Sequence, residues 1–312
     1  MVEHAHTNLN TRLGTAVSKR TTPTADATGG SSAGATFAGE DLVIGYSKDE
    51  PVIDGESLVV PPGEVTALVG PNGSGKSTLL KGLANQLALG DGSVVLDGRE
   101  IHQLGPKELA RKLGLLSQEN VSPGSIDVEE LVYHGRYPHR GFFDSVGEED
   151  ECAVRDAISL AGIDHLRDRE VGQLSGGQKQ LVWIAMVLAQ ETDVLLLDEP
   201  TTFLDMHHQL EVMEIVRTLR EDREITVVLV LHDIDQAARY ADHMLALEDG
   251  TIRARGTPEE VVTEELLAEV FGVDAEVEPT DRGPRVTPIR AYHGGGRADG
   301  GEPGDDSEAH RG

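Results

Sequence analysis

Cysteine is nearly absent from this chain: Cys152 is the only one in 312 residues. An intrachain disulfide and a zinc site built on thiolates are therefore excluded. The lone thiol reads as a small apolar side chain. Lysine is scarce as well, with seven residues, and 27 basic side chains face 55 acidic ones for a net charge of −28. Such an excess of acid excludes a nucleic-acid binder that relies on a basic surface, and a polybasic membrane anchor. No nucleic-acid partner is expected. Long apolar runs are missing too. The longest covers residues 181–189, against the roughly 20 residues a bilayer-crossing helix needs. No apolar stretch follows Met1, so nothing suggests secretion. The expectation is a cytoplasmic chain that meets a membrane only through a partner.

The acid is not confined to a tail. Residues 1–36 carry a net +1 and residues 293–312 a net −3, which leaves −26 on the segment between them. A dispersed acidic, lysine-poor surface resembles that of proteins from a cytoplasm with molar salt, where the screening length falls to about 3 Å and self-repulsion is damped. Recruitment of a basic partner is the competing reading.

Residues 1–36 are rich in Thr, Ser, Ala and Gly without periodicity and are expected to be disordered, a transit peptide being the other reading. Residues 293–312 are a Gly/Asp tail with nothing to bury. No internal repeat is visible. Between the tails, strands are expected at 41–45, 57–60, 65–70, 94–96, 113–116, 194–197 and 225–231, with a hairpin at 244–247 and 251–254. Helices are expected at 76–89, from Pro106, over most of 127–161 with a loop at 137–147, and at 176–190, 209–220, 234–240 and 258–271. Strand and helix alternate, so the class is α/β.

Three motifs carry chemistry. Gly70, Pro71, Asn72, Gly73, Ser74, Gly75, Lys76, Ser77 and Thr78 match the phosphate-binding pattern G-x-x-x-x-G-K-[ST], between an expected strand and an expected helix. The glycines let backbone N–H groups converge, and the helix N-terminus adds partial positive charge. Lys76 can reach the β- and γ-phosphates of a nucleotide, and Ser77 can ligate Mg²⁺. The second motif is an apolar run ending in Asp198 and Glu199. It delivers two carboxylates at a strand's C-terminal end, one to hold Mg²⁺ and one to polarise water. The third is Leu174, Ser175, Gly176, Gly177 and Gln178, which read locally as a capped helix start.

In this order the motifs resemble the ATP-binding subunits of ABC transporters, over residues 37–272. The LSGGQ run is that family's signature. The resemblance implies a P-loop NTPase fold of the ABC type: a mainly parallel core sheet, an antiparallel β subdomain, and a helical subdomain, about residues 119–190, carrying the signature. Residues 273–292 are left as a C-terminal extension. It also implies roles. Tyr46 stacks on adenine, Gln118 touches Mg²⁺ and senses the transporter, Asp205 belongs to the D-loop, and His232 contacts the γ-phosphate. ATP and Mg²⁺ are the implied cofactors. Ser175 to Gln178 of a second copy close over the nucleotide, so a head-to-tail homodimer is implied. Permease subunits and, indirectly, a substrate-binding protein are the implied partners, at the cytoplasmic face of the cell membrane.

The stretches His134-Gly135-Arg136-Tyr137-Pro138-His139 and 201–209 resemble importers of ferric siderophores, haem and cobalamin. In those proteins the region after Gln118 faces the permease. His134 and His139, or His207 and His208, lack clean i, i+4 spacing, which disfavours a metal site there. Lys179 stands where an arginine is frequent, keeping the charge without the planar fork, and Phe203 holds a variable D-loop position. The alternative function is a soluble ATPase of the same family that moves no substrate, such as an iron–sulfur assembly ATPase.

Overall fold

The computed structural model describes residues 35–47, 50–118, 120, 124–141 and 146–292. The two segments expected to be disordered lie outside the described residues, apart from residues 35 and 36. No helix among the described residues is long and apolar enough to cross a membrane.

The chain opens with strands β1 (Phe37–Ile44), β2 (Ile53–Val60) and β3 (Val65–Val69), then helix α1 (Lys76–Leu83). Strands β4 (Leu89–Leu96) and β5 (Arg99–Glu100), helix α2 (Pro106–Lys112) and strand β6 (Leu113–Leu116) follow. Helices α3 (Val128–Tyr133), α4 (Glu148–Leu160) and α5 (Gly176–Leu188) come next. The next pair of strand and helix is β7 (Val194–Asp198) and α6 (Met206–Arg223), and after it β8 (Thr226–Val230) and α7 (Ile234–Tyr240). The chain closes with β9 (His243–Glu248), β10 (Thr251–Gly256), α8 (Pro258–Val261), α9 (Glu264–Phe271), β11 (Val273–Glu278) and β12 (Arg285–Ala291).

The main sheet has the order β10-β9-β3-β8-β7-β6, and every neighbouring pair is parallel except β9 with β10. Successive side chains of a strand face opposite sides. In β7, Leu195 and Leu197 therefore pack on one core and Val194 and Leu196 on the other. The first core joins the sheet to α3–α6. The second joins it to α1 and to an antiparallel sheet of order β2-β1-β4-β5. Both faces of β3, β7 and β8 are covered, which is why these strands read as unbroken apolar runs. Truncating a side chain such as Leu196 here costs about 2–5 kcal/mol.

Several boundaries differ from the sequence expectation. The helix expected over 76–89 stops at Leu83, because Asn85 turns the chain at φ 56° and residues 89–96 pair with β1. β1 begins at Phe37 rather than 41, since residues 37–40 pair with β4 and the ladder passes Asp41 through a bulge rather than starting there. The helix expected over 258–271 is two, because the Thr263 side chain accepts from Leu266 N–H and caps a second start. The extension 273–292 is a hairpin, tied down by Val286 N–H donating 2.8 Å to Asp235 Oδ1. Cys152 lies exposed on α4, so it fills no apolar space.

Candidate functional site

Four parallel strands deliver the site. β3 runs into the 70–75 turn, β8 ends two residues before His232, β7 ends on Asp198, and β6 ends two residues before Gln118. Leu68 pairs with Val230, Val230 with Asp198, and Leu197 with Leu116, so these four ends lie along one sheet edge. Ligands bind open α/β sheets at such an edge.

Gly70 has φ 148°, and a side chain there would collide with the Leu247 carbonyl. Gly75 caps α1 at φ 99° without any side-chain acceptor, so the first N–H groups of α1 stay available. A cavity of about 270 Å³ opens before them, walled by Asn72, Gly73, Lys76 and Ser77 from the turn and by Glu199 and His232 from the strand ends.

Lys76 is 5% exposed, and its Nζ donates to Gly70 O and Pro71 O at 2.9 Å each. Burial pushes its pKa below the usual lysine value, against the pull of Glu199 and Asp198. Asp198 is 1% exposed. Burial pushes its carboxyl above the usual carboxylate value, opposed chiefly by the hydrogen bond that Ser77 Oγ donates to Oδ1 at 2.7 Å. The other oxygen, Asp198 Oδ2, is buried without a hydrogen-bond partner. A hydroxyl beside an unpartnered buried carboxylate oxygen is a hard-oxygen donor set that fits Mg²⁺, whose remaining ligands come from phosphates and water.

Glu199 is held at φ 52°. Its Oε1 lies 2.6 Å from His232 Nε2, and its Oε2 accepts from Gln118 Nε2 at 2.7 Å and from Thr202 Oγ1 at 3.1 Å. Lys76, Ser77, Glu199 and His232 thus share one cavity wall, with Asp198 bonded to Ser77 and Gln118 bonded to Glu199.

The remaining candidates stand apart from the cavity lining. Tyr46 is exposed in the connection between β1 and β2, and of that connection it is Val52, not Tyr46, that lines the cavity. Ser175, Gly176, Gly177 and Gln178 start α5 in a capping box: Ser175 Oγ accepts from Gln178 N–H, and Gln178 Oε1 accepts from Ser175 N–H. None of the four lines the cavity. Asp205 caps α6, accepting from His208 N–H, and that bond pulls its carboxyl below the usual range. Beside it, Phe203 sits at φ 62° and is 98% exposed.

Sequence reasoning missed Val52 and the Thr202–Glu199 bond. The spacing of Thr202, three residues after Glu199, was the available signal for the bond. The 134–139 stretch also proves two-sided. Arg136 is buried, with Nε donating to Asp150 Oδ1 at 2.9 Å and Nη1 to Ala189 O at 2.7 Å and Glu191 Oε2 at 2.6 Å. It ties this stretch to the end of α5, while Tyr137 points outward and stacks on His134.

A phosphate turn, a buried carboxylate and a second carboxylate on one parallel sheet edge define the class: a P-loop ATPase. The ABC transporter family profile matches residues 53–202. The ferric enterobactin transport ATP-binding protein FepC of Escherichia coli K12 is 46% identical over 82% of this chain and 94% of its own. The iron(3+)-hydroxamate import ATP-binding protein FhuC of Bacillus subtilis is 41% identical over 76% of this chain and 88% of its own. A solved metal-chelate type ABC transporter in an inward-facing conformation superposes with TM-score 0.70 at 26% identity, covering 83% of this chain and 98% of that one. The chain belongs to the ATP-binding proteins of ABC transporters and is an ATPase of that family.

Proposed function

We propose that this chain energises an ABC importer of iron chelates, with ferric siderophores as the cargo class. The observation that carries the reading is its similarity to FepC over 94% of that protein's length. The soluble, non-transport alternative is not favoured, since the similar proteins are transport and import ATP-binding subunits. Which chelate is carried is decided by a binding protein and a permease, where cargo is recognised. Haem and cobalamin are the competing cargoes.

The site chemistry follows from the cluster. Lys76 exchanges its two carbonyl acceptors for β- and γ-phosphate oxygens, while the α1 N-terminus and the glycine turn donate N–H groups. Ser77, Asp198 and Gln118 would hold Mg²⁺, and the ion would neutralise phosphate charge. Glu199 polarises the attacking water, and His232 donates to the γ-phosphate. Tyr46 stacks on adenine, an interaction of order 1 kcal/mol.

Ser175 to Gln178 have no place at their own chain's cavity, and this supports a second copy bringing them to it, in a two-fold, head-to-tail dimer. Asp205 lies on the surface that meets that copy. The exposure of Phe203 and Met206 beside it fits a face that is covered in the dimer. Tyr137 fits the surface presented to the permease, which holds the subunit at the cytoplasmic face of the membrane. The charge of −28 fits a halophilic cytoplasm.

The test is uptake of labelled ferric siderophore, haem and cobalamin in native cells carrying Glu199→Gln. Loss of ferric siderophore uptake alone is expected. Loss of haem or cobalamin uptake alone reassigns the cargo, and no loss of any overturns coupled iron-chelate import.

A further inference from the structure

The two glycines of the 175–178 turn are glycines for different reasons. A side chain at Gly176 would meet nothing within 4 Å in its own chain. A Cβ at Gly177 would lie 2.5 Å from His208 Cγ, 2.6 Å from Cδ2 and 2.7 Å from Nδ1. The imidazole of His208 fills the space over Gly177. Gly177 is inside α5, where any residue adopts the backbone, so this ring is what bars a side chain from the position within the chain.

The ring is not free to swing away. His208 Nδ1 is 2.9 Å from Asp205 Oδ1, the same oxygen that accepts from His208 N–H at 3.0 Å. The His208 side chain is 21% exposed, although its neighbour His207 is 78% exposed. The surrounding contacts make the loop a rigid seat. Gln209 Nε2 donates to Leu204 O at 3.1 Å, and Gln180 Nε2, from α5, donates to Pro200 O at 3.0 Å. The start of α5 and the 200–205 loop are therefore joined at two points: the Gln180–Pro200 bond and the His208 ring, which is held to Asp205.

We propose that His208 is a positioning residue that registers the first turn of α5 against Asp205, so that both reach a second copy of this chain as one surface. The inference rests on the dimer reading given above. The α5 N–H groups must meet the second copy's nucleotide within hydrogen-bond tolerance, and a displacement of about 1 Å is enough to cost 10²-fold in a reaction that depends on such positioning. The shared core and the Gln180–Pro200 bond hold the two helices together further along. At the start of α5 it is the ring wedged between Gly177 and Asp205 that fills the gap.

The experiment compares the full-length chain carrying Glu199→Gln with the same chain carrying in addition His208→Ala, His208→Asn, Gly177→Ala, or Gly177→Ala with His208→Ala. Two quantities are read: affinity for a fluorescent ATP analogue, and ATP-driven dimerisation by sedimentation. His208→Ala is expected to leave nucleotide affinity within about twofold and to weaken dimerisation at least about tenfold. His208→Asn keeps a nitrogen near the Nδ1 position and is expected to recover most of the loss. Once Gly177→Ala has displaced the ring, His208→Ala is expected to add little more.

Equal dimerisation of parent and His208→Ala overturns the positioning role, as does a strictly additive double variant. So does an equal loss of nucleotide affinity, which marks general damage. If the parent fails to dimerise with ATP, the dimer reading itself falls and takes this inference with it; that result is distinct from a parent that dimerises while His208→Ala does so equally well.

Discussion

His232 Nε2 stands 2.6 Å from Glu199 Oε1, so a histidine from the end of β8 and a carboxylate from the end of β7 share one contact across the sheet edge. Gln118 and Thr202 take the other oxygen. Both oxygens of Glu199 are thus held by neighbouring side chains, Oε1 by one and Oε2 by two.

Replacing Glu199 by Gln keeps the shape and most of the hydrogen bonding but removes the proton acceptor. Turnover is expected to fall at least about 10²-fold with ATP binding retained. Steady-state ATPase assays beside equilibrium binding check this, and unchanged turnover would remove Glu199 from its role.

Lys76→Ala is expected to weaken ATP binding at least about tenfold, the worth of one charge-assisted hydrogen bond. Titration calorimetry measures it directly. Affinity equal to that of the unmodified chain would count against the phosphate turn.

Asp198 offers a pH test. Its folded pKa is raised by burial, so the folded state holds this proton more tightly than the unfolded chain does. Stability from this group is therefore lost as pH rises from the unfolded value of about 3.9 through the raised folded value. Asp198→Asn is expected to raise the Tm of the nucleotide-free protein at neutral pH, with the gain shrinking as the pH falls below that window. A lower Tm at neutral pH would show that the charge stabilises the fold.

The Arg136–Asp150 pair predicts a loss of stability away from the cavity. Burial opposes ionisation of Asp150, yet the Arg136 hydrogen bond and the Gly147 N–H hold its pKa below the usual value. Its contribution is present above the unfolded carboxylate pKa and disappears as pH falls through the lowered folded one. Arg136→Met leaves a buried carboxylate unpaired and is expected to cost about 3–5 kcal/mol, measured by urea unfolding near pH 7. A cost under about 1 kcal/mol would mean that the pair is solvated.

Salt gives a final test. Folding and ATPase activity are expected to require molar KCl, which screens a net charge of −28. Full activity in dilute buffer would show that the acid serves another purpose, such as a basic partner.

Much of this molecule was legible in the linear chain. The turn 70–78 and the run ending at Asp198 and Glu199 were readable because each is a local pattern with a local cause, whereas Gln118 and His232 were singled out only by the family resemblance. Buried strands such as β7 and β8 stood out because both of their faces are covered. Where the reading failed, longer-range contacts overrode local preference. Residues 84–89 continue a helical pattern, yet Leu89 pairs with Ile44 in the antiparallel sheet. Residues 37–40 were left outside the strand expected at 41–45, yet they pair with β4 and a bulge carries the ladder past Asp41.

By itself, then, the sequence determined the motif order, the alternation of strand and helix, and the chemical type of each site residue. The tertiary structure decided which of those residues meet. Gln118 reaches Glu199 across 81 positions and Ser77 reaches Asp198 across 121, because parallel strands β6, β7, β8 and β3 align their ends. It also decided that Arg136 is interior and that His208 covers Gly177. Such contacts depend on how two cores pack on opposite faces of one sheet, and no local window of residues contains that information.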